Sequence, residues 1–188
     1  MESTTQQQPE PSQGVGSIWN KNSWHWEERN YTEVAKKWLQ ENLVKIEVDC
    51  DEHQVVVRLY EVKLVEGNAS ITIRKQKQIF LFEFKLEVYF DSLDKTGAES
   101  EKRQGRLLVE EFNQDDADTD IDVSVVCEIA GELTNRSKKC LTSHVKKEVL
   151  RVIGDLRTEL KNIDANEEKI RKDAFEREQA LKNYQEAQ

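Results

Sequence analysis

From Phe80 to Phe90 every second residue is large and apolar: Phe80, Phe82, Phe84, Leu86, Val88 and Phe90, with Glu83, Lys85 and Glu87 among the residues between them. A period of two sends successive side chains to opposite faces of a pleated strand, so one face is buried and the other is wet. A helix would scatter the same residues around its circumference. The segment is therefore the central strand of an antiparallel sheet, and a second layer has to cover its apolar face.

The rest of the chain supplies both. Tyr31, Val34, Ala35, Trp38, Leu39 and Leu43 follow helical spacing behind a possible cap at Asn30 or Thr32, with Glu33 as the second half of a capping box. Strand alternation then runs through Val44 to Cys50 and Val55 to Leu59. At Tyr60 the apolar set changes phase, which predicts a bulge or break, and Glu66-Gly67-Asn68 reads as a turn. Ile71 and Ile73 continue in strand spacing. Shorter strands are expected around Arg106 to Phe112 and Ile121 to Ile129. After Gly131, a stripe from Leu141 through Val145, Val149, Val152, Ile153, Leu156 and Leu160 to Ile163 predicts a long helix lying on the sheet, with Gly154 allowing close approach to a strand. The expected fold is α+β: an N-terminal helix, a four-to-five-stranded antiparallel meander and a long C-terminal helix packed on the sheet. Residues 1–17, polar and holding both prolines, read as a disordered leader; 18–163 as the domain; and 164–188, where apolar residues are sparse, as a charged helical extension or linker.

Composition narrows the function. A net charge of -9 opposes nonspecific attraction to nucleic acid or an anionic membrane. No apolar run is long enough to span a bilayer. Cys50, Cys127 and Cys140 have unrelated spacings, which suggests neither a disulfide framework nor a C-x-x-C metal pair, and a reducing cytoplasm fits best. With three histidines and none of the common nucleophile, phosphate-loop or zinc-protease motifs, the sequence predicts a protein that is not an enzyme and holds no cofactor and no metal. His25 with Glu27 and Glu28 lacks further ligands for zinc. Cys127 reads as a small core hydrophobe. Asp115, Asp116, Asp118 and Asp120 lack the glycine and distal glutamate of a calcium loop.

Two tracts stand out against that background. One is Trp19-Asn20-Lys21-Asn22-Ser23-Trp24-His25-Trp26-Glu27-Glu28. Its tryptophans either fold back as a hydrophobic plug, with the asparagines making turn hydrogen bonds, or are displayed as aromatic anchors for a partner. The other is Arg74-Lys75-Gln76-Lys77, three cations in four residues of an acidic chain, either solvated or a docking point for acidic groups on another protein.

Together, and in this order, these tracts resemble the signatures of the activator of heat-shock protein 90 ATPase family, in its N-terminal domain. Asn20 to Glu28 is similar to that family's N-x-N-N-W-H-W-E-E pattern, with Ser23 replacing one asparagine, and Arg74 to Lys77 is similar to its R-K-x-K motif. The resemblance covers about Val15 to Ile163. It implies a monomeric cytoplasmic co-chaperone, active in protein folding and the stress response, that binds the middle segment of heat-shock protein 90 and stimulates its ATPase. Arg74, Lys75 and Lys77 would make the charged contact. Asn20, Asn22, Trp24, His25, Trp26, Glu27 and Glu28 would modulate ATP turnover. Longer family members continue through a linker into a second domain; a chain with one attachment point, whether a short homologue or a truncated form, is expected to stimulate more weakly. The alternative reading is a small-molecule-binding module, with an apolar cavity between sheet and long helix and the aromatic tract as its lid.

Overall fold

The computed structural model describes residues 20, 24–75, 77–97, 102–116 and 120–186. The predicted leader, Trp19, Asn22, Gln76 and Asp118 lie outside the described residues. The elements in order are β1 (Glu27–Asn30), α1 (Thr32–Leu43), β2 (Glu47–Cys50), β3 (Val55–Arg74), β4 (Lys77–Asp94), β5 (Arg103–Asn113), β6 (Val123–Cys127), α2 (Glu132–Cys140), a π-helical segment (Leu141–Val145) and α3 (Lys146–Glu186). The sheet runs β1-β3-β4-β5-β6, with β2 also pairing with β3. It thus has six strands rather than four or five. The extra one is β1, a polar four-residue stretch that begins in the last two residues of the aromatic tract and carries no alternation to reveal it.

By contacts the backbone forms two compact units. One holds the described residues of Met1–Glu28, Thr72–Ile79 and Asp164–Gln188; the other holds Arg29–Ile71 and Phe80–Ile163.

In the second unit the alternation of β4 holds throughout. Phe80, Phe82, Phe84, Leu86, Val88 and Phe90 are all buried, and Phe84 lies against Phe112 of β5 with ring centroids 6.3 Å apart. β4 and β5 pair antiparallel, Phe84 opposite Phe112 and Leu86 opposite Val109. The extra β5 residue between those pairs is a bulge. On the wet face, Lys85 pairs with Glu110 at 3.2 Å and Arg106 with Glu87 at 3.2 Å. These exposed cross-strand pairs fix register more than they add stability.

Glu66-Gly67-Asn68, expected to be a turn, lies inside β3, which is continuous over its 20 residues. Gly67 has φ of 131°, and a Cβ there would sit 1.9 Å from the Glu83 carbonyl oxygen. Glycine is therefore needed for a positive φ and a close backbone approach within a strand, not for chain reversal. Val55, Val57 and Leu59 are buried, and so are Ala69, Ile71 and Ile73, so the same alternation resumes after an exposed middle.

The first helix buries Ala35, Leu39 and Leu43. Its N-cap position is Tyr31, with no side-chain cap and so no capping box; one residue earlier, the Asn30 side-chain oxygen accepts from the Thr32 amide at 2.8 Å. In α3 the stripe Val149, Val152, Ile153, Leu156 and Leu160 is buried, and Lys161 Nζ lies 5.2 Å from the Phe80 ring centre. Gly154, expected to permit close strand contact, faces open space. No helix among the described residues is long and apolar enough to cross a membrane.

Candidate functional site

The first unit brings the two singled-out tracts together. Its geometry begins with Asn20, which is buried. The Asn20 Nδ2 amide donates to the His25 carbonyl at 2.8 Å, while its Oδ1 accepts from the His25 amide at 2.8 Å. One side chain thus holds both backbone groups of a residue five positions on, closing the tract into a loop in which a plain apolar residue would leave both unpaired. A longer contact of 3.5 Å reaches Glu27 Oε2.

This staple turns the following aromatics outward. Trp24 and Trp26 are 60% and 63% exposed, as only displayed tryptophans would be. Neither of these two folds back as a hydrophobic plug. His25 and Glu28 are also exposed, and Glu27 is half-buried at the start of β1.

The basic tetrapeptide joins β3, ending at Arg74, to β4, beginning at Lys77. Lys75 takes φ of 48°, a left-handed conformation that tight hairpin connections require and that costs a non-glycine residue about 1 kcal/mol or more. Its amide donates to the Trp24 carbonyl at 3.3 Å, the bond that joins the basic loop to the aromatic tract. Next along, the Gln78 side-chain amide donates to Asp164 Oδ2 at 2.6 Å, and Asp164 is buried. Arg74, Lys75 and Lys77 themselves are exposed, and among the described residues none makes an ion pair. Beside them Ile79 is 48% exposed.

The patch therefore presents three solvated cations, two indoles and an isoleucine. It can attract an acidic surface and grip it with flat apolar anchors. Sequence reasoning found the cations and the tryptophans. It missed the Asn20 staple as a specific role and the Gln78–Asp164 tie altogether, since neither pairing has a spacing rule.

A second cluster lies in the other unit. Among the described residues the only group able to offer three metal-ligand atoms is Cys50, Cys140 and His144, whose ligand atoms lie within 4.8 Å of one another; His25, Glu27 and Glu28 make no such group. The cysteine spacings gave no sign of this pairing, because the fold brings Cys50 and Cys140 together. Burial, reinforced by a hydrogen bond with Cys50, pushes the Cys140 thiol up to about 12. Cys127, read as a core residue, is half-buried on β6.

Residues 28–164 match the family described as activator of Hsp90 ATPase, N-terminal. The match includes the basic loop and begins at the last residue of the aromatic tract. The chain is 33% identical over 107 residues to activator of 90 kDa heat shock protein ATPase homolog 2 from Bos taurus, covering 56% of this chain and 39% of that protein. It is 27% identical over 109 residues to the Hsp90 co-chaperone AHA1 of Saccharomyces cerevisiae, covering 56% and 31%, and 26% identical over 110 residues to the Hsp90 co-chaperone HCH1 of the same yeast, covering 55% and 72%. The first two alignments thus take in less than half of the relative's length. Among solved structures, Aha-1 from Plasmodium falciparum superposes with a TM-score of 0.63 at 21% identity, over 74% of this chain and 91% of that one. The human Aha1 N-terminal domain gives 0.51 at 19%, over 69% and 89%.

Proposed function

Because the chain belongs to the family of N-terminal domains of the activator of Hsp90 ATPase, we propose that it is a co-chaperone that binds the middle segment of heat-shock protein 90 and stimulates its ATPase activity. The observation that carries this reading is the joining of two tracts, far apart in sequence, through the Lys75 amide and the Trp24 carbonyl.

Docking begins with charge. Arg74, Lys75 and Lys77 project from an otherwise acidic chain, so they orient encounter with an acidic face of the chaperone while the remaining surface discourages other approaches. The indoles of Trp24 and Trp26 supply apolar area at little conformational cost once in contact. Stimulation follows if the docked protein binds the closed, hydrolysis-competent chaperone better than the open one, since the population shifts by no more than that differential affinity. The nucleotide chemistry stays on the partner. The Asn20 to Glu28 tract tunes the turnover step, with Asn20 holding its shape, and Asn22 belongs to it by sequence. The protein acts as a cytoplasmic monomer in the stress response.

The test is a binding titration and an ATPase assay with purified heat-shock protein 90. Wild-type protein raises ATP turnover. Arg74→Ala, Lys75→Ala and Lys77→Ala combined weaken binding at least tenfold, about 1.4 kcal/mol, and flatten its salt dependence. Trp24→Ala with Trp26→Ala reduces stimulation more than affinity. Unchanged affinity in the triple variant would remove the docking assignment. Among the described residues, clefts are lined by groups such as Glu52, His53 and Arg136 or Tyr60, Tyr89 and Arg106, and no specific observation favours a lidded apolar cavity.

A further inference from the structure

Cys50 ends β2, Cys140 ends α2, and His144 lies in the π-helical segment that follows. We propose that these three side chains form a binding site for a thiophilic divalent metal ion, zinc above all, with two thiolates, one imidazole and a fourth position left open.

The donor set comes first. Sulfur and imidazole nitrogen are the ligands zinc prefers, at about 2.3 and 2.0 Å, so tetrahedral geometry puts neighbouring donor atoms about 3.5 Å apart. The Cys50 Sγ and His144 Nδ1 atoms are 3.7 Å apart, and all three donors lie within 4.8 Å of one another. All three cysteines are free thiols, so none is diverted into a disulfide.

Position is the second argument. Cys140 and His144 are four residues apart, which places both on one side of a helical turn. The turn between them is a π-helical segment, a rare widening that concentrates at functional sites. Cys50 reaches the same point from the β2–β3 hairpin, where it pairs with Val55.

Electrostatics is the third. Cys50 and Cys140 are 3% and 0% exposed, where bare ionised thiolates would be costly. Two thiolates and a neutral imidazole around a dication sum to zero, so the filled site buries no net charge.

A supporting shell is present as well. Ser143 Oγ donates to the Lys139 carbonyl at 2.7 Å and lies 2.7 Å from His144 Nδ1, a contact that this nitrogen gives up when it binds the ion. His53 stands edge-on to His144 with ring centroids 6.3 Å apart. It also lines a surface cleft of about 380 Å³ with Lys139.

The experiment uses the full chain, reduced and freed of metal by a chelator, titrated with cobalt(II) and then zinc(II). One equivalent of cobalt is expected to produce thiolate-to-metal charge-transfer absorption with the visible bands of a four-coordinate ion, and one equivalent of zinc to abolish it. Cys50→Ser and Cys140→Ser lose the charge-transfer band or weaken zinc binding by more than the roughly 10- to 100-fold typical of outer-shell changes; Cys127→Ser leaves it unchanged. Far-ultraviolet circular dichroism checks that each variant is folded. Should a cysteine variant unfold, His144→Asn carries the test, because His144 is only half-buried; it is expected to weaken zinc binding more than tenfold. Absence of the band in the wild type, an undiminished band with wild-type zinc affinity in Cys50→Ser and Cys140→Ser, its loss in Cys127→Ser, or wild-type zinc affinity in His144→Asn would each overturn the site.

Discussion

The body of the β3–β4 hairpin and its tip are built from the same two strands and obey opposite rules. In the body, Ile71, Ile73, Phe80 and Phe84 are 5% exposed or less, so side-chain shape is dictated by neighbours. At the tip, Arg74, Lys75 and Lys77 are exposed and touch no ion partner among the described residues. There the only firm constraint is the backbone: Lys75 at φ of 48° and its amide on Trp24. Side chains placed where packing makes no demand are free to vary in chemistry, and in the proposed docking role their mounting on strand ends reduces the ordering cost of binding.

The largest way to break this contrast is Phe84→Ala. Its side chain is 1% exposed and packs near Phe82 and Phe112, so about 3–5 kcal/mol of stability is lost, read as a drop in urea midpoint. Chaperone affinity per folded molecule stays at the wild-type value; a parallel loss of affinity would mean that the tip is not independent of the core. Gly67→Ala comes next. The added Cβ meets the Glu83 carbonyl at a φ that alanine resists, for about 2–3 kcal/mol, and a variant as stable as the wild type would show that this stretch of β3 pairs differently. The smallest change is Asn20→Ala. It frees the His25 amide and carbonyl for about 1 kcal/mol, leaves the global urea midpoint in place, and accelerates hydrogen exchange at the His25 amide. Unaltered exchange there would show that the staple does not hold the tract.

Legibility in the sequence followed the range of the interaction. The alternation of β4, the stripe of α3 and the face of α1 are local patterns, and each was readable. β1 was not, because Glu27 to Asn30 owes its strand state to pairing across the sheet rather than to its own residues. Gly67 misled for a related reason: a glycine serves a turn and a close backbone approach within a strand equally, and only the approach of β4 tells them apart. In the candidate site, charge and aromatic content were visible in the one-dimensional chain. That Asn20 shapes the loop and that Trp24 meets Lys75 was not, since both depend on where the backbone returns.

The sequence by itself determined the layered α+β architecture, the absence of the common catalytic motifs and the two tracts, one aromatic and one basic, that stand out from the rest, because period, composition and short motifs are local properties. Tertiary structure alone decided that the basic loop and the aromatic tract form one patch, that Trp24 and Trp26 point to solvent, and that Cys50 meets Cys140 and, across 94 positions, His144. Those are meetings between distant residues. They are set by strand pairing and by how a helix crosses a sheet, and no spacing along the chain encodes them.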